Sequence, residues 1–343
     1  MKDSRVLIGI IVSVIATGLL GYVVDLGAVL TALQQADLIA VGAATVAIVV
    51  AMWTKAMRWQ AFFPRPRAVR VRGLHEAIYI GYMANALLPL RAGEIVRAVL
   101  AAETERTSRS TALATVLIEK VVDVGTMALI LYVLGLVFTQ LPDSARYVAL
   151  LSGAGLAIAI GAVAFALLAR PLTLRLTRAL ELRVGLLAKL KLTELLGAFL
   201  DGLAFAQKPL ILARVLVWTV IHWGLSALAI VFSLLAVGIH GRSISELVQI
   251  TLLVMVATNL SMAIPSAPGY VGVFHGVFVA TLALFGVRED LATAAAVVSH
   301  AVVFGVFILG GAYYLLFGEA MKNGERRLTA LVVRARTPAT GTT

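Results

Sequence analysis

Six stretches of the chain, 6–24, 38–54, 111–138, 147–169, 210–238 and 291–317, are almost continuously apolar. Each is near or above the ~20 residues that a helix needs to cross a hydrocarbon core. Inside a bilayer no water meets the backbone N–H and C=O groups, so only helices and closed barrels cross it. Barrel strands alternate apolar and polar residues, and these runs do not. They predict an all-α polytopic membrane protein. Composition agrees: 61% of the 343 residues are hydrophobic and 14% charged, against roughly 45–50% and 25% in soluble domains. There is no cysteine, which excludes disulfides, thiolate chemistry and Cys-ligated metals. The net charge of +11 falls in the connections between apolar runs, the pattern of membrane orientation rather than of a nucleic-acid partner. Lys2 and Arg5 precede the first run as in a secretory signal, but the run is long and no small-residue cleavage site follows. It is read as the first span.

Two further apolar stretches are interrupted. Residues 74–103 break at Pro89–Gly93, and residues 246–286 break at "PSAPG", 265–269. Lys55, Arg58, Arg65, Arg67, Arg70 and Arg72 share one connection, the 170–191 connection and the C-terminal tail are also basic, and the 25–37 loop carries only Asp25 and Asp37. Lysine and arginine mark the cytoplasmic side. All basic connections reach that side only if 74–103 enters and returns from it. The stretch 246–286 must likewise return to the outer side, as a re-entrant hairpin or as two full spans. Both termini are then cytoplasmic, with 25–37 and 139–146 outside. Each break follows an asparagine, Asn85 or Asn259, and places a glycine four residues after a proline, Pro89/Gly93 and Pro265/Gly269. Paired interruptions of opposite orientation mark inverted-repeat transporters, whose ligand site lies where the repeats meet. The leucine- and arginine-rich segment 170–208 reads as interfacial helix. Residues 1–317 form one membrane domain, with a short basic tail over 318–343.

Irregular backbone at membrane depth must be covered by protein or by a wet cavity. Asn85, Pro89, Gly93, Asn259, Pro265, Pro268, Gly269 and Gly272 are therefore expected to line one. Just past the first break stand Arg91, Glu94 and Arg97. Arg97 follows Glu94 by three residues and can neutralise it, which leaves Arg91 as a guanidinium fork suited to phosphate. "IEKVVD", 118–123, puts Glu119 and Asp123 on one helical face, with Lys120 turned away. The two carboxylates can accept bonds from the arginines, form a proton relay, or simply start a helix. Lys55 and Arg58 end the second run and read either as head-group cations or as snorkelling interfacial residues. Gly272 and Gly276 have the spacing of close helix packing, with the titratable His275 between them. The histidines have no metal-ligand spacing and no phosphate-binding Gly-rich loop occurs, so neither metal nor cofactor is expected.

"NALLPLRAGEIVRAVL", "ATVLIEKVVDVG" and "IPSAPGYVGVFHGVF", with Arg58–Trp59, resemble the membrane domain of the lysylphosphatidylglycerol synthase/flippase family in the same order over nearly the whole chain. The resemblance marks Asn85, Pro89, Arg91, Gly93, Glu94 and Arg97, then Glu119, Lys120 and Asp123, then Pro265, Gly269 and Gly272. Lys120 stands where the family usually has arginine, and His275 where it usually has glutamate. The resemblance implies two interrupted helices and movement of a lipid between leaflets. It also implies that aminoacyl transfer belongs to a separate soluble domain, which this sequence is expected to lack. The resulting expectation is a flippase-like protein of the cytoplasmic membrane. It would move a lipid with an anionic or zwitterionic head group, binding it through Arg91, Arg97, Arg58 and Lys55. Glu94, Glu119, Lys120, Asp123 and His275 would form a charge network or proton relay. The chain is expected not to be an enzyme. A membrane transferase using a phospholipid or polyisoprenyl-phosphate, and a non-catalytic partner of an envelope-lipid enzyme, are the alternatives. A homodimer or such a partner enzyme is the assembly to test.

Overall fold

The computed structural model describes residues 31, 34–87, 92–138, 143–184, 192–262 and 268–318. Among them are eleven α-helices and no strand: α1 (Leu38–Ala61), α2 (Val71–Leu87), α3 (Gly93–Thr104), α4 (Arg109–Val137), α5 (Asp143–Leu168), α6 (Arg170–Arg183), α7 (Leu192–Leu203), α8 (Pro209–Ala236), α9 (Ile244–Ser261), α10 (Val273–Ala283) and α11 (Glu289–Phe317). The protein is an all-α polytopic membrane protein. Six of these helices, α1, α4, α5, α8, α9 and α11, are long and apolar enough to span a membrane. The expected span 6–24 and the tail 319–343 lie outside the described residues.

Local chemistry sets the helix starts. The Asp37 carboxylate accepts from the Ile39 amide at 2.8 Å and opens α1. Ser108 accepts from the Thr111 amide at 3.0 Å and opens α4, and Ser243 does the same for α9 through Glu246. Each side-chain oxygen satisfies an amide that has no partner inside its helix. Pro209 begins α8, where its missing N–H costs nothing.

α1 and α8 form the most extensive helix pair. They run antiparallel, since the Asp37 amide donates to the Ala236 carbonyl at 2.8 Å. At their other end Arg214 of α8 reaches Gln60 of α1 at 2.7 Å. Phe62 meets Phe205 there with ring centroids 5.3 Å apart, and Ser110 at the start of α4 donates to Glu194 of α7 at 2.6 Å. The described ends of the connection after α1 and of the segment before α8 thus lie at one end of the bundle.

Both interrupted segments are hairpins that return to the side they left. At the open end of α2–α3 the Arg70 amide donates to Glu105 at 2.7 Å. At the open end of α9–α10 Arg242 donates to the Phe285 carbonyl at 3.0 Å. The two tips meet from opposite sides, with a Cβ built on Gly269 lying 3.7 Å from the Ala86 carbonyl oxygen. The two arms of 246–286, left open between a re-entrant hairpin and two full spans, are unequal: α9 is 18 residues and reaches spanning length by itself, while α10 has only 11. The Gly272/Gly276 pair also departs from expectation. A Cβ added at either meets no atom of the described residues within 4 Å, so among them neither glycine is needed for close packing. Gly272 has φ +84° and Gly269 φ +68°, backbone conformations that favour glycine. The glycines that do meet are Gly81 and Gly93, where α2 crosses α3. A Cβ on Gly93 would lie 1.9 Å from the Gly81 carbonyl oxygen.

Within the segment 170–208, α7 packs against α4 and buries Leu200, Gly202 and Leu203. α6 buries no residue.

Candidate functional site

Three helices bring seven ionised side chains together. α1 contributes Lys55 and Arg58, α3 contributes Glu94 and Arg97, and α4 contributes Glu119, Lys120 and Asp123. Lys55/Arg58, Glu94/Arg97 and Glu119/Asp123 each lie at a spacing of three or four residues, so each helix turns its pair toward the same junction. Lys120 leaves α4 about 100° from its pair, as expected, yet still reaches the cluster. Lys120 lies 2.7 Å from Glu94, and Arg97 donates to Glu94 at 2.7 Å and to Glu119 at 3.0 Å. Lys55 sits 2.5 Å from Glu119 and 3.4 Å from Asp123, and Arg58 donates to Asp123 at 2.5 Å. The result is an unbroken chain of alternating charge. Four cations face three carboxylates, so the described cluster carries one excess positive charge.

The surroundings explain how such charge is tolerated. Lys55, Arg58, Arg97 and Glu119 are buried, and unpaired charge at membrane depth is costly. Pairing and hydrogen bonding offset that cost. Arg97 also lies over the Trp59 ring, 5.0 Å from its centroid. The Trp59 indole N–H is itself tied to Thr115 at 2.9 Å. Arg58 uses one nitrogen on Asp123, while its Nε and Nη1 have no protein partner. α1 continues unbroken to Ala61. Lys55 and Arg58 lie in the last two turns of α1 and are buried, 2% and 0% exposed, so neither side chain snorkels to water.

A cavity of about 230 Å³ opens beside the cluster. Lys55, Glu94, Lys120 and Asp123 line it, with Asn85, whose amide donates to Glu94 at 3.4 Å across the first break. Arg58, Arg97 and Glu119 stand behind that wall. The cavity runs to the second break, where Asn259, Met262 and Tyr270 line it. Between the two ends its walls are mostly apolar, with Met52, Met127, Trp223, Met255, Phe274 and Phe304 among them. Lys120, 35% exposed, is the most accessible cation of the cluster.

The second break is built differently. Asn259 bonds back to the Met255 carbonyl of its own helix at 2.8 Å. His300 of α11 donates through Nε2 to the Gly269 carbonyl at 2.8 Å. His300 stacks on Phe304 with centroids 4.1 Å apart, and His275 lies 4.7 Å from it. His275 thus sits at the other break and not among the ionised groups that it was grouped with from sequence. Its Nδ1 is buried without a partner. Pro89, Arg91 and Pro265 lie outside the described residues, as does the side chain of Pro268.

Sequence reasoning passed over several wall residues. His222 donates to the Ala51 carbonyl at 3.0 Å and lines the cavity with Tyr82, Trp223 and Ser226. The Trp223 indole nitrogen has no partner. The only signal available was a polar or aromatic side chain inside an otherwise apolar run.

The sequence profile of the lysylphosphatidylglycerol synthase TM region matches residues 6–311. Among curated relatives, "Glycosyltransferase AglD" of Haloferax volcanii is 27% identical, covering 90% of this chain and 54% of the relative. The chain thus spans about half the length of that relative. No solved structure matches. The relative's name corrects one expectation: the absence of soluble-enzyme motifs does not make this a non-enzymatic chain. Motif spacing registers residues close in sequence, whereas the ionised groups here come from three separate helices.

Proposed function

Because the chain belongs to the lysylphosphatidylglycerol synthase transmembrane-region family, we propose that its cavity takes a membrane lipid by a phosphate-bearing head group and passes it between leaflets. One observation carries this reading: a single cavity joins the tips of two hairpins that enter from opposite sides, with charge at one end and apolar walls beyond. The head group would enter on the charged side, and the acyl or isoprenyl tails would stay against the apolar walls and the bilayer. The excess cation favours an anionic partner. Lys120 and Lys55, on the wall, would meet the phosphate. Arg97 and Arg58, behind it, would hold Glu94, Glu119 and Asp123 in place. Arg91 remains a proposed phosphate ligand from its position beside Ala92, the cap of α3, since a lysine lacks its bidentate fork.

The test is lipid movement by the full chain reconstituted in vesicles, followed by dithionite bleaching of a fluorescent phosphatidylglycerol. Arg91→Lys should slow movement and Arg91→Ala should slow it further, on the order of tenfold if one charge-assisted contact is lost. Wild-type rates for Arg91→Ala and for Lys120→Gln, at matched folded protein, would remove the phosphate site from this wall. A second reading is favoured by the relative's printed name: the same cavity holds a lipid-phosphate participant in glycosyl transfer. Radiolabelled sugar appearing on polyisoprenyl phosphate with the purified chain would select it.

A further inference from the structure

α6 is the element that the rest of the fold leaves uncovered. It follows α5 with only Ala169 between them, and the hydrogen bonds run through the joint: Ala169 to the Phe165 carbonyl at 2.8 Å, Thr173 to the Ala169 carbonyl at 2.9 Å. The spanning part of α5, Arg146–Leu168, is 23 residues, or about 34 Å at 1.5 Å per residue, enough to cross the hydrocarbon. No connection is left to carry α6 away from the membrane, so it starts in the head-group layer.

One face of α6 is fastened to the protein. Arg170 pairs with Asp201 of α7 at 2.5 Å. Glu181 accepts from the Thr193 amide at 2.7 Å and from its hydroxyl at 2.6 Å, bonds that hold its carboxyl below the usual carboxylate range. Leu174 on the same side packs toward the core. The neighbouring face carries Leu172, Leu176 and Leu180, one turn apart and 50%, 62% and 48% exposed. Beyond that stripe stands Arg175, with Arg183 at the helix end, while Arg178 lies one turn from Leu174 and Glu181 at the edge of the fastened face and acts on the Glu181 carboxyl. All three are exposed, and none makes an ion pair among the described residues.

A bare leucine stripe on a helix that carries exposed arginines and starts at membrane depth matches a surface that is apolar below and anionic above. We infer that α6 is a lipid-binding interfacial helix. Its leucines sit among acyl chains and Arg175, Arg178 and Arg183 contact anionic phospholipid head groups. The inference holds for either reading of the cavity, because α6 contributes no residue to it.

The cysteine-free chain makes the test direct. The full protein, with Leu176→Cys carrying an environment-sensitive fluorophore, is placed in nanodiscs that hold one protomer each. The discs are made of phosphatidylcholine with or without phosphatidylglycerol. Blue-shifted, quencher-protected emission is expected, strengthening with the anionic lipid. Arg175→Gln/Arg178→Gln/Arg183→Gln should remove the dependence on anionic lipid. The seating equilibrium should then weaken by up to about a hundredfold, at roughly fivefold per arginine near an anionic surface. Water-like emission in both discs would overturn the inference. So would protection that appears only in discs with two protomers, which would assign the stripe to contacts between copies. Protection unchanged by the triple substitution would overturn the anionic-lipid assignment.

Discussion

The two hairpins meet tip to tip, yet they are held by different chemistry. The α2–α3 tip is closely packed and ionic. Gly81 and Gly93 bring the backbones together, Asn85 reaches Glu94 across the break, and Glu94 opens a chain of ion pairs that ends at Arg58. Among the described residues, the α9–α10 tip has no ion pair. It is turned by Gly269 and Gly272 at positive φ, and a hydrogen bond from His300 ties it to α11, with Phe274 and Phe304 around it. A buried ionic network is costly to disturb piecemeal, because each removed partner leaves another charge alone. A single neutral hydrogen bond in an aromatic setting can open and close at small cost. On the transport reading proposed above, the ionic hairpin would be the fixed wall and the histidine-tied hairpin the one to move. Alternating access needs one part to rock against another around a site, and under that proposal the difference in chemistry assigns the two parts.

The contrast is most severely tested at Glu119, the carboxylate between Arg97 and Lys55. Glu119→Ala leaves two buried cations without their shared partner and should cost about 3–5 kcal/mol. Loss of folded protein in detergent, or a large drop in thermal midpoint, is the expected result. Glu119→Ala/Lys55→Ala should recover part of that loss. If the single substitution is as stable as wild type, the ionic hairpin is not the fixed wall.

Next in size is Gly93→Ala. Its Cβ would fall 1.9 Å from the Gly81 carbonyl oxygen, and backbone cannot swing aside as a side chain can. Overpacking of this kind costs about 1–3 kcal/mol. Gly276→Ala on the other hairpin is the matched control, since its Cβ meets no atom of the described residues within 4 Å and alanine favours a helix by about 1 kcal/mol. A fall in thermal midpoint for the first and none for the second would sharpen the contrast. Equal losses would mean that the α9–α10 hairpin is as closely packed as the α2–α3 hairpin.

This division was only half legible in the sequence. The pairs Glu94/Arg97 and Glu119/Asp123 lie within one helix, where spacing reveals a shared face. The apolar runs likewise exposed most of the spans. The link from Arg58 to Asp123 crosses 65 residues and that from His300 to Gly269 crosses 31, and no local pattern encodes them. Two misreadings have the same origin. Gly272 and Gly276 have the spacing that permits close packing, but spacing does not supply a partner helix. Lys55 and Arg58 seemed to end a span because charge usually does, whereas here the partners on α4 let α1 continue to Ala61.

The smallest expected effect falls on the hairpin assigned to move, and it separates motion from stability. In His300→Ala the Gly269 carbonyl loses its donor. A lost buried hydrogen bond is worth about 1–3 kcal/mol, but here it acts on a tip with no ionic anchor among the described residues. Most of the change should therefore appear as opening of the tip and not as unfolding of the bundle. A cysteine introduced at Ser266, beside the second break, should react with a small polar thiol reagent roughly tenfold faster in His300→Ala than in the parent, with the thermal midpoint nearly unchanged. One kcal/mol is about a fivefold shift in such an equilibrium, so a tenfold rate lies within the range of one lost bond. Glu119→Ala should give the opposite pattern, a large stability loss whatever the labelling rate. If His300→Ala unfolds the protein as severely as Glu119→Ala, the α9–α10 tip is as fixed as the α2–α3 tip and the assignment of wall and gate is wrong. If labelling at Ser266 does not change, His300 only fills space between Phe274 and Phe304, and the moving element must be sought elsewhere.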